Sequence, residues 1–406
     1  MIRKKNLRYV DILLLVSFVG VAVFGLFVLY SATRVEVLSL EQYFNRQIVW
    51  WVVAVVVSLF FLFLPPRVFY AMAPLLYGLS IVLLMMVLVV GRGPAKRWLY
   101  IGSFGFQPSE YAKLALIFLT ARIMSDKRFN PNRLSSIAFV FLFAMVQMIL
   151  VVLEPDLGTS VAYPVLTTGM LLYAGLSWQW LLVIASPLLA MVLSFHWLMR
   201  LVFVVIFLFF LRKLLRAEFW EKLVIVIVVL GFLFSSPLVW NSLKDYQRQR
   251  ILSFINPEAD PLGAGWHTLQ SRIAIGSGMW SGKGYLEGTQ KKLAFLPQQH
   301  TDFVFSVLGE ELGFVGSMFF LLLYSLMLYR MLKLSFRVRN QFSAFVIAGS
   351  IVYFVFHLFL NVGMATGMLP VVGIPLPFMS YGGSCLVFAL CLVVFAVNAG
   401  ARWYEY

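Results

Sequence analysis

Residues 255–268 read INPEADPLGAGWHT and set two carboxylates, Glu258 and Asp260, in a turn. Pro257 and Pro261 fix their own backbone and bias Asn256 and Asp260 towards extended geometry, while Gly263 and Gly265 permit tight bends. A carboxylate held in this way can be aimed at one point and can take a proton from a hydroxyl as general base. The same spacing also fits an Asx-type turn whose acid binds its own backbone, and on spacing alone that reading is preferred.

Four other stretches carry chemistry. RGPAKRWLYIGSFGFQPSEYAK, residues 92–113, gathers Arg92, Lys96 and Arg97 beside Trp98, and then begins a helix at Pro108 with Gln107 or Ser109 near its cap. Glu110 and Lys113 lie three apart on one helical face and can pair. Ionisable groups inside a membrane span are costly, so this pair is read equally as a functional centre or as a structural ion pair. EPDLGTS, residues 154–160, offers Glu154 and Asp156 as helix caps or as carboxylates facing the same cavity. FLPQQHTDFVFSVLGEELG, residues 295–313, carries His300, Asp302, Glu310 and Glu311. His300 and Asp302 are too few for a metal site and fit a helix entry, with Thr301 or Asp302 as cap. One of Glu310 and Glu311 is expected to face a wet cavity. NVGMATGMLPVVGIPLPFMSYGGS, residues 361–384, fits a re-entrant loop lining a groove, or a kinked connection.

The elements that must position these residues are oily. Of 406 residues, 62% are hydrophobic and 12% charged, against about a quarter charged in soluble domains. Apolar runs of about twenty residues recur along the chain, and stretches such as LVFVVIFLFFL do not alternate as barrel strands do. The fold class is therefore all-α, a polytopic transmembrane helical bundle. Twelve spans are expected, at 11–31, 47–64, 71–90, 108–124, 134–153, 159–175, 178–195, 201–216, 222–240, 302–329, 342–361 and 383–401. The first is read as a retained span, since its apolar run is too long for a signal peptide. Cys385 and Cys391 fall in the last span and read as small buried hydrophobes.

The net charge of +15 sits mainly in loops beside spans, which argues against nucleic acid as a partner. With the N-terminus inside, the inner connections and tails collect seventeen Lys and Arg, against six in the short outer ones: Arg34, Arg46, Arg92, Lys96, Arg97 and Arg200. Both termini are then cytoplasmic and 241–301 is a long extracytoplasmic loop.

Taken together, QPSEYAK, EPDLGTS, DYQRQRI, NPEADPLGAGWH, IAIGSGMWSGKGYLEGTQ, FLPQQHTDFVFSVLGEELG and MLPVVGIPLPFMSYGGS resemble the SEDS family (shape, elongation, division and sporulation) of bacterial membrane glycosyltransferases. The motifs keep their order along nearly the whole chain, as a single membrane domain over 1–406. GTQ before FLPQQHTDF, and LPVVGIPLPF, are similar to its elongation branch. The family has ten spans, so the resemblance implies a two-helix insertion near 195–240.

The resemblance implies a peptidoglycan glycosyltransferase of the cytoplasmic membrane that polymerises lipid II into β-1,4 glycan on its outer face, releasing undecaprenyl pyrophosphate. A class B penicillin-binding protein is the implied partner. The family's essential loop aspartate falls on Asp260, which reverses the preference from spacing alone and makes Asp260 the expected catalytic base, with Glu258 as second choice. Arg97, Lys113, Arg272 and Lys283 are expected to meet the pyrophosphate. A divalent cation, Mg or Mn, can share that task, held by Glu110, Asp156 or Glu311. Trp98, Glu258 and His300 complete the expected substrate contacts. The alternatives are a flippase for lipid-linked precursors and a non-catalytic scaffold of the elongation machinery.

Overall fold

The computed structural model describes residues 10–34, 40–93, 97–102, 104–255, 264–293 and 298–403. In chain order the elements are α1 (Ile12–Thr33), α2 (Glu41–Phe63), α3 (Pro66–Val90), the strands β1 (Leu99–Ile101) and β2 (Phe104–Phe106), α4 (Pro108–Met124), α5 (Leu134–Leu153), α6 (Leu157–Ser160), α7 (Ala162–Tyr173), α8 (Trp178–Leu193), α9 (Trp197–Lys213), α10 (Phe219–Ser242), α11 (Asp245–Ile255), α12 (Ala264–Gly278), α13 (Thr289–Lys292), α14 (Val304–Arg337), α15 (Gln341–Thr366) and α16 (Gly383–Ala401). Every expected span falls on a helix or, for 159–175, on α6 and α7 together. Eight of these helices are long and apolar enough to cross a membrane; α4, α7, α8 and α9 are shorter or more charged.

The core is where small and apolar residues let helices approach. The α16 helix is buried nearly throughout, with Leu390, Cys391, Phe395 and Ala396 at its centre, and it packs along α2. The α14 helix runs antiparallel to α1 and is tied to it at both ends. Asp11 caps α1 by accepting from the Leu14 N–H and pairs with Arg330 at 2.6 Å, while Ser31 at the far end meets Glu311. Asn398 donates to the Phe61 and Leu64 carbonyls and so closes the end of α2. Both cysteines are buried and free.

Four features differ from the sequence reading. An antiparallel hairpin, β1–β2, precedes α4, with Gly102 at φ 62° in its turn. The stretch 241–301 is not plain loop, since it holds α11, α12 and α13. The expected cap of α14 moves: Phe303 occupies the N-cap and neither Thr301 nor Asp302 caps it. Finally α14 reaches Arg337, beyond the expected end of the span, and is broken at Gly313 (φ 64°, ψ −160°).

The segment 367–382 is irregular and is buried in its second half, with Leu376, Phe378 and Met379 below 3% exposed, while Met368 near its start is exposed. Its backbone is satisfied by protein: Asn361 donates to the Ile374 carbonyl, Ser380 Oγ to the Thr301 carbonyl, and Ser380 Oγ accepts from the Leu376 N–H. That is the condition under which non-helical backbone is tolerated at membrane depth.

Candidate active site

Polar side chains gather where the β1–β2 hairpin, the first turns of α4 and α16, the end of α5 and the start of α14 meet. Glu110 and Lys113, on the first two turns of α4, form an ion pair at 2.6 Å and are 3% and 1% exposed. Such a pair persists when its remaining donors and acceptors are matched, and here they are. Lys113 Nζ also lies 3.1 Å from His357 Nε2, and His357 Nδ1, 2.8 Å from the Pro375 carbonyl, donates to it. Tyr353 donates to the other oxygen of Glu110 at 3.2 Å, and Lys113 sits 5.2 Å above the Tyr353 ring. A helix pair i, i+3, a histidine and a tyrosine from α15, and a carbonyl of the irregular segment thus form one connected centre.

Next to it stands Arg97, from the strand entering the hairpin. It donates to the Pro155 carbonyl at 2.6 Å and pairs with Asp156 at 3.3 Å. Asp156 is also the N-cap of α6, accepting from the Thr159 N–H and hydroxyl. Glu154 is different: it is 2% exposed and neither carboxylate oxygen has a hydrogen-bond partner among the described residues. Burial, and then the neighbouring Asp156, push its carboxyl up to about 8, with Arg97 acting against them. A carboxyl of that kind carries its proton at neutral pH.

The acids of GEELG are occupied by the chain itself. Glu310 Oε1 accepts from Lys283 Nζ at 2.7 Å and from the N–H groups of Thr289 and Gln290, so it caps α13 from a distance. Glu311 accepts from Ser31 and from Lys291, itself 1% exposed. Lys283 and Glu311 are therefore committed to partners that fasten 283–292 onto α14 and α1.

His300 stacks on Tyr43 with ring centroids 4.4 Å apart, and burial lowers its pKa to about 4, so the ring is neutral at physiological pH. Asp302 lies beside Gly373, and burial raises its carboxyl to about 6. Arg272 is exposed on α12, its stem against Gly367. Trp98 lines a cleft on the other side of the hairpin. Asp260 and Glu258 lie outside the described residues, as do Lys96 and the basic N-terminal tail.

The structure thus brings Glu110, Lys113, Arg97 and Asp156 to one end of the bundle and gives Lys283 and Glu311 anchoring partners. Sequence reasoning missed Lys291, His357 and Tyr353. Two of them had a signal: His357 is a lone imidazole in an apolar run, and Lys291 and Lys292 are adjacent cations just before FLPQQH. The residues expected to hold a divalent cation are paired with cations of the chain itself. Glu110, Asp156 and Glu311 each face a lysine or arginine, and among the described residues no three acids, histidines or cysteines cluster as ligands.

A polytopic helical bundle with acid–base pairs buried at one end defines a membrane protein built around polar chemistry. The chain belongs to the FtsW/RodA/SpoVE cell cycle protein family, whose model matches residues 11–213 and 199–402. It is 37% identical over 384 residues to the peptidoglycan glycosyltransferase MrdB of Escherichia coli K12, covering 93% of this chain and 90% of that protein. It is 33% identical over 426 residues to the peptidoglycan glycosyltransferase RodA of Treponema pallidum, covering 97% and 98%. A solved chain from work on the structural coordination of polymerization and crosslinking by a peptidoglycan synthase complex superposes with a TM-score of 0.73 at 28% identity, over 98% of this chain and 99% of that one. The resemblance read from the motifs holds over the full length.

Proposed function

We propose that the chain is a peptidoglycan glycosyltransferase that joins lipid II units into β-1,4 glycan and releases undecaprenyl pyrophosphate. The observation that carries this reading, beyond the family, is the buried Glu110–Lys113–His357–Tyr353 centre beside Arg97 and Asp156. A glycosyl transfer from a sugar pyrophosphate needs a base for the acceptor hydroxyl and cations for the leaving group. Lys113 and Arg97 are the cations of this centre among the described residues. Each is held by one carboxylate, Glu110 or Asp156, so an incoming pyrophosphate competes with that carboxylate for the cation. His300 is neutral at physiological pH, so its role is stacking or hydrogen bonding rather than charge.

Asp260 serves as the general base, delivered by a segment whose flanks are α11 and α12. The α12 helix packs on α14 and α15, and Ser271 on it donates to the Ala365 carbonyl at 2.6 Å, which gives the segment a fixed departure point. The charge count supports an extracytoplasmic site in a bacterial cytoplasmic membrane, with both termini inside. The kinship with a chain from a synthase complex supports a crosslinking enzyme, a class B penicillin-binding protein, as partner.

Asp260→Asn tests the base directly. The variant is expected to accumulate in membranes and unfold like the wild type, yet to make no polymer from purified lipid II. Polymer at the wild-type rate sinks the assignment.

A further inference from the structure

A second feature opens on the other side of the first turn of α16. It is a cleft of about 410 Å³ between the hairpin, the start of α2 and the Thr301 turn. Its walls are aromatic: Tyr43, Trp50, Trp98, Tyr100 and Tyr381, with Arg46 among them. Resting on the glycosyltransferase reading above, we propose that this cleft binds N-acetylhexosamine rings of the growing glycan strand.

The walls are built for flat rings with polar rims. Trp98, bridged to Arg92 just before β1, and Tyr100 on β1 are two apart in extended backbone and so share a face. Both rings lie across Gly93 and Gly105, where a Cβ would stand 3.2 to 3.4 Å from them. Tyr100 is 49% exposed, so its ring is open to the cleft. Opposite, Tyr43 packs edge-on to Tyr381 with centroids 5.0 Å apart, and Arg46 lies beside them in the same wall. The floor is fixed as well. Gln47 accepts from the Gly382 N–H and donates to the Ser380 carbonyl, and Gly383 has no room for a side chain because the Trp50 indole lies about where its Cβ would be.

A hexopyranose presents axial C–H bonds on its faces and hydroxyl and acetamido groups at its rim. Aromatic faces cover the former, while Tyr hydroxyls and a guanidinium hydrogen-bond the latter. Among the described residues no carboxylate lines the cleft and Arg46 is its one cation, too little for a pyrophosphate, so a neutral saccharide fits better than the charged head of the donor. The position agrees. Gly383 lines the cleft, Ser384 accepts from the Gln107 N–H at 3.0 Å, and Cys385 lies 3.4 Å from the Tyr353 hydroxyl. Three consecutive residues therefore pass from the cleft to the ion-pair centre, and a strand extended at that centre can rest its older rings here.

The test uses the purified full-length chain with lipid II, reading glycan length by gel at matched substrate consumption. Trp98→Ala and Tyr100→Ala are expected to shorten the mean strand about threefold or more, in line with the loss of one stacked ring, and Trp98→Phe to restore it. Strands of wild-type length from both alanine variants overturn the proposal. A second readout needs no turnover: saturation-transfer NMR with chitotetraose, a β-1,4 N-acetylglucosamine tetramer. Transfer is expected with the wild type and lost in Tyr100→Ala, and equal transfer to both overturns the proposal. Should the wild type make no polymer, the enzymatic reading fails, and the chitotetraose result still decides whether the cleft holds sugar.

Discussion

Lys113 shows why the centre is sensitive to single changes. Lys113 is 1% exposed, and its ammonium is held by Glu110 at 2.6 Å and by His357 at 3.1 Å. Lys113→Met leaves Glu110 buried without its cation, which costs about 3–5 kcal/mol. The expected result is lower stability in detergent unfolding together with lost polymerisation. Adding Glu110→Gln is expected to recover part of the stability and none of the activity, because removing both charges removes the stranded one. Glu154 makes a separate prediction. Its carboxyl is raised from 4.5 to about 8 in the folded chain. Below the unfolded value both states hold the proton and its contribution to stability is fully present. As pH rises towards the folded value the unfolded state ionises first, so stability falls, and it levels off above that value. Melting temperature against pH is expected to decline less steeply over this window in Glu154→Gln than in the wild type. An identical slope contradicts the assignment. The pairing of Glu110 and Lys113 was legible because residues three apart on one helix face meet locally. Their partners on α15 were not, because a contact 244 residues away leaves no local pattern.

Among the elements, α14 does most to position the outer segments. At Gly313 it leaves helical geometry, and residues 279–284 hydrogen-bond alongside its exposed backbone. Phe314 and Val315 donate to the Met279 and Trp280 carbonyls, while Lys283 and Gly284 donate to those of Glu310 and Glu311. A side chain at Gly313 would meet the Gly282 nitrogen at 2.3 Å, and its backbone lies in the left-handed region. Gly313→Ala is expected to cost at least about 1–3 kcal/mol and to open 279–293 to protease; unchanged cleavage there contradicts the account. The motif GEELG pointed to this place, but its acids read as cavity-facing, because the sequence could not reveal that Lys283 and Lys291 fold back onto them. The hairpin was missed for a related reason. LYIGSFGF is short, and its alternation was hidden beside the helix signal of QPSEYAK.

Across the whole molecule, the twelve expected spans all appear as helices, since long apolar runs announce themselves by composition alone. What composition cannot give is which helices share the core. The α8–α10 group stands apart: α10 packs along α8, α9 touches α8 more lightly, and their remaining faces carry exposed Val, Leu and Phe suited to lipid. Ser194 and Ser236 join this group internally, and Glu221 reaches the start of α5. The two stretches matched by the family model overlap within α9, where two helices beyond the family's ten were expected. Joining residue 196 to residue 243 removes both helices and keeps every later helix on its side. The shortened chain is expected to retain lipid II polymerisation within about threefold, since neither helix lines the centre; complete loss with normal accumulation contradicts this placement. For the bundle as a whole, the decisive measurement is product analysis after incubating the purified wild-type chain with lipid II in detergent, where no leaflets exist for a flippase to connect. A ladder of glycan strands is the predicted result. Unreacted lipid II, from protein that is folded and binds it, contradicts the account.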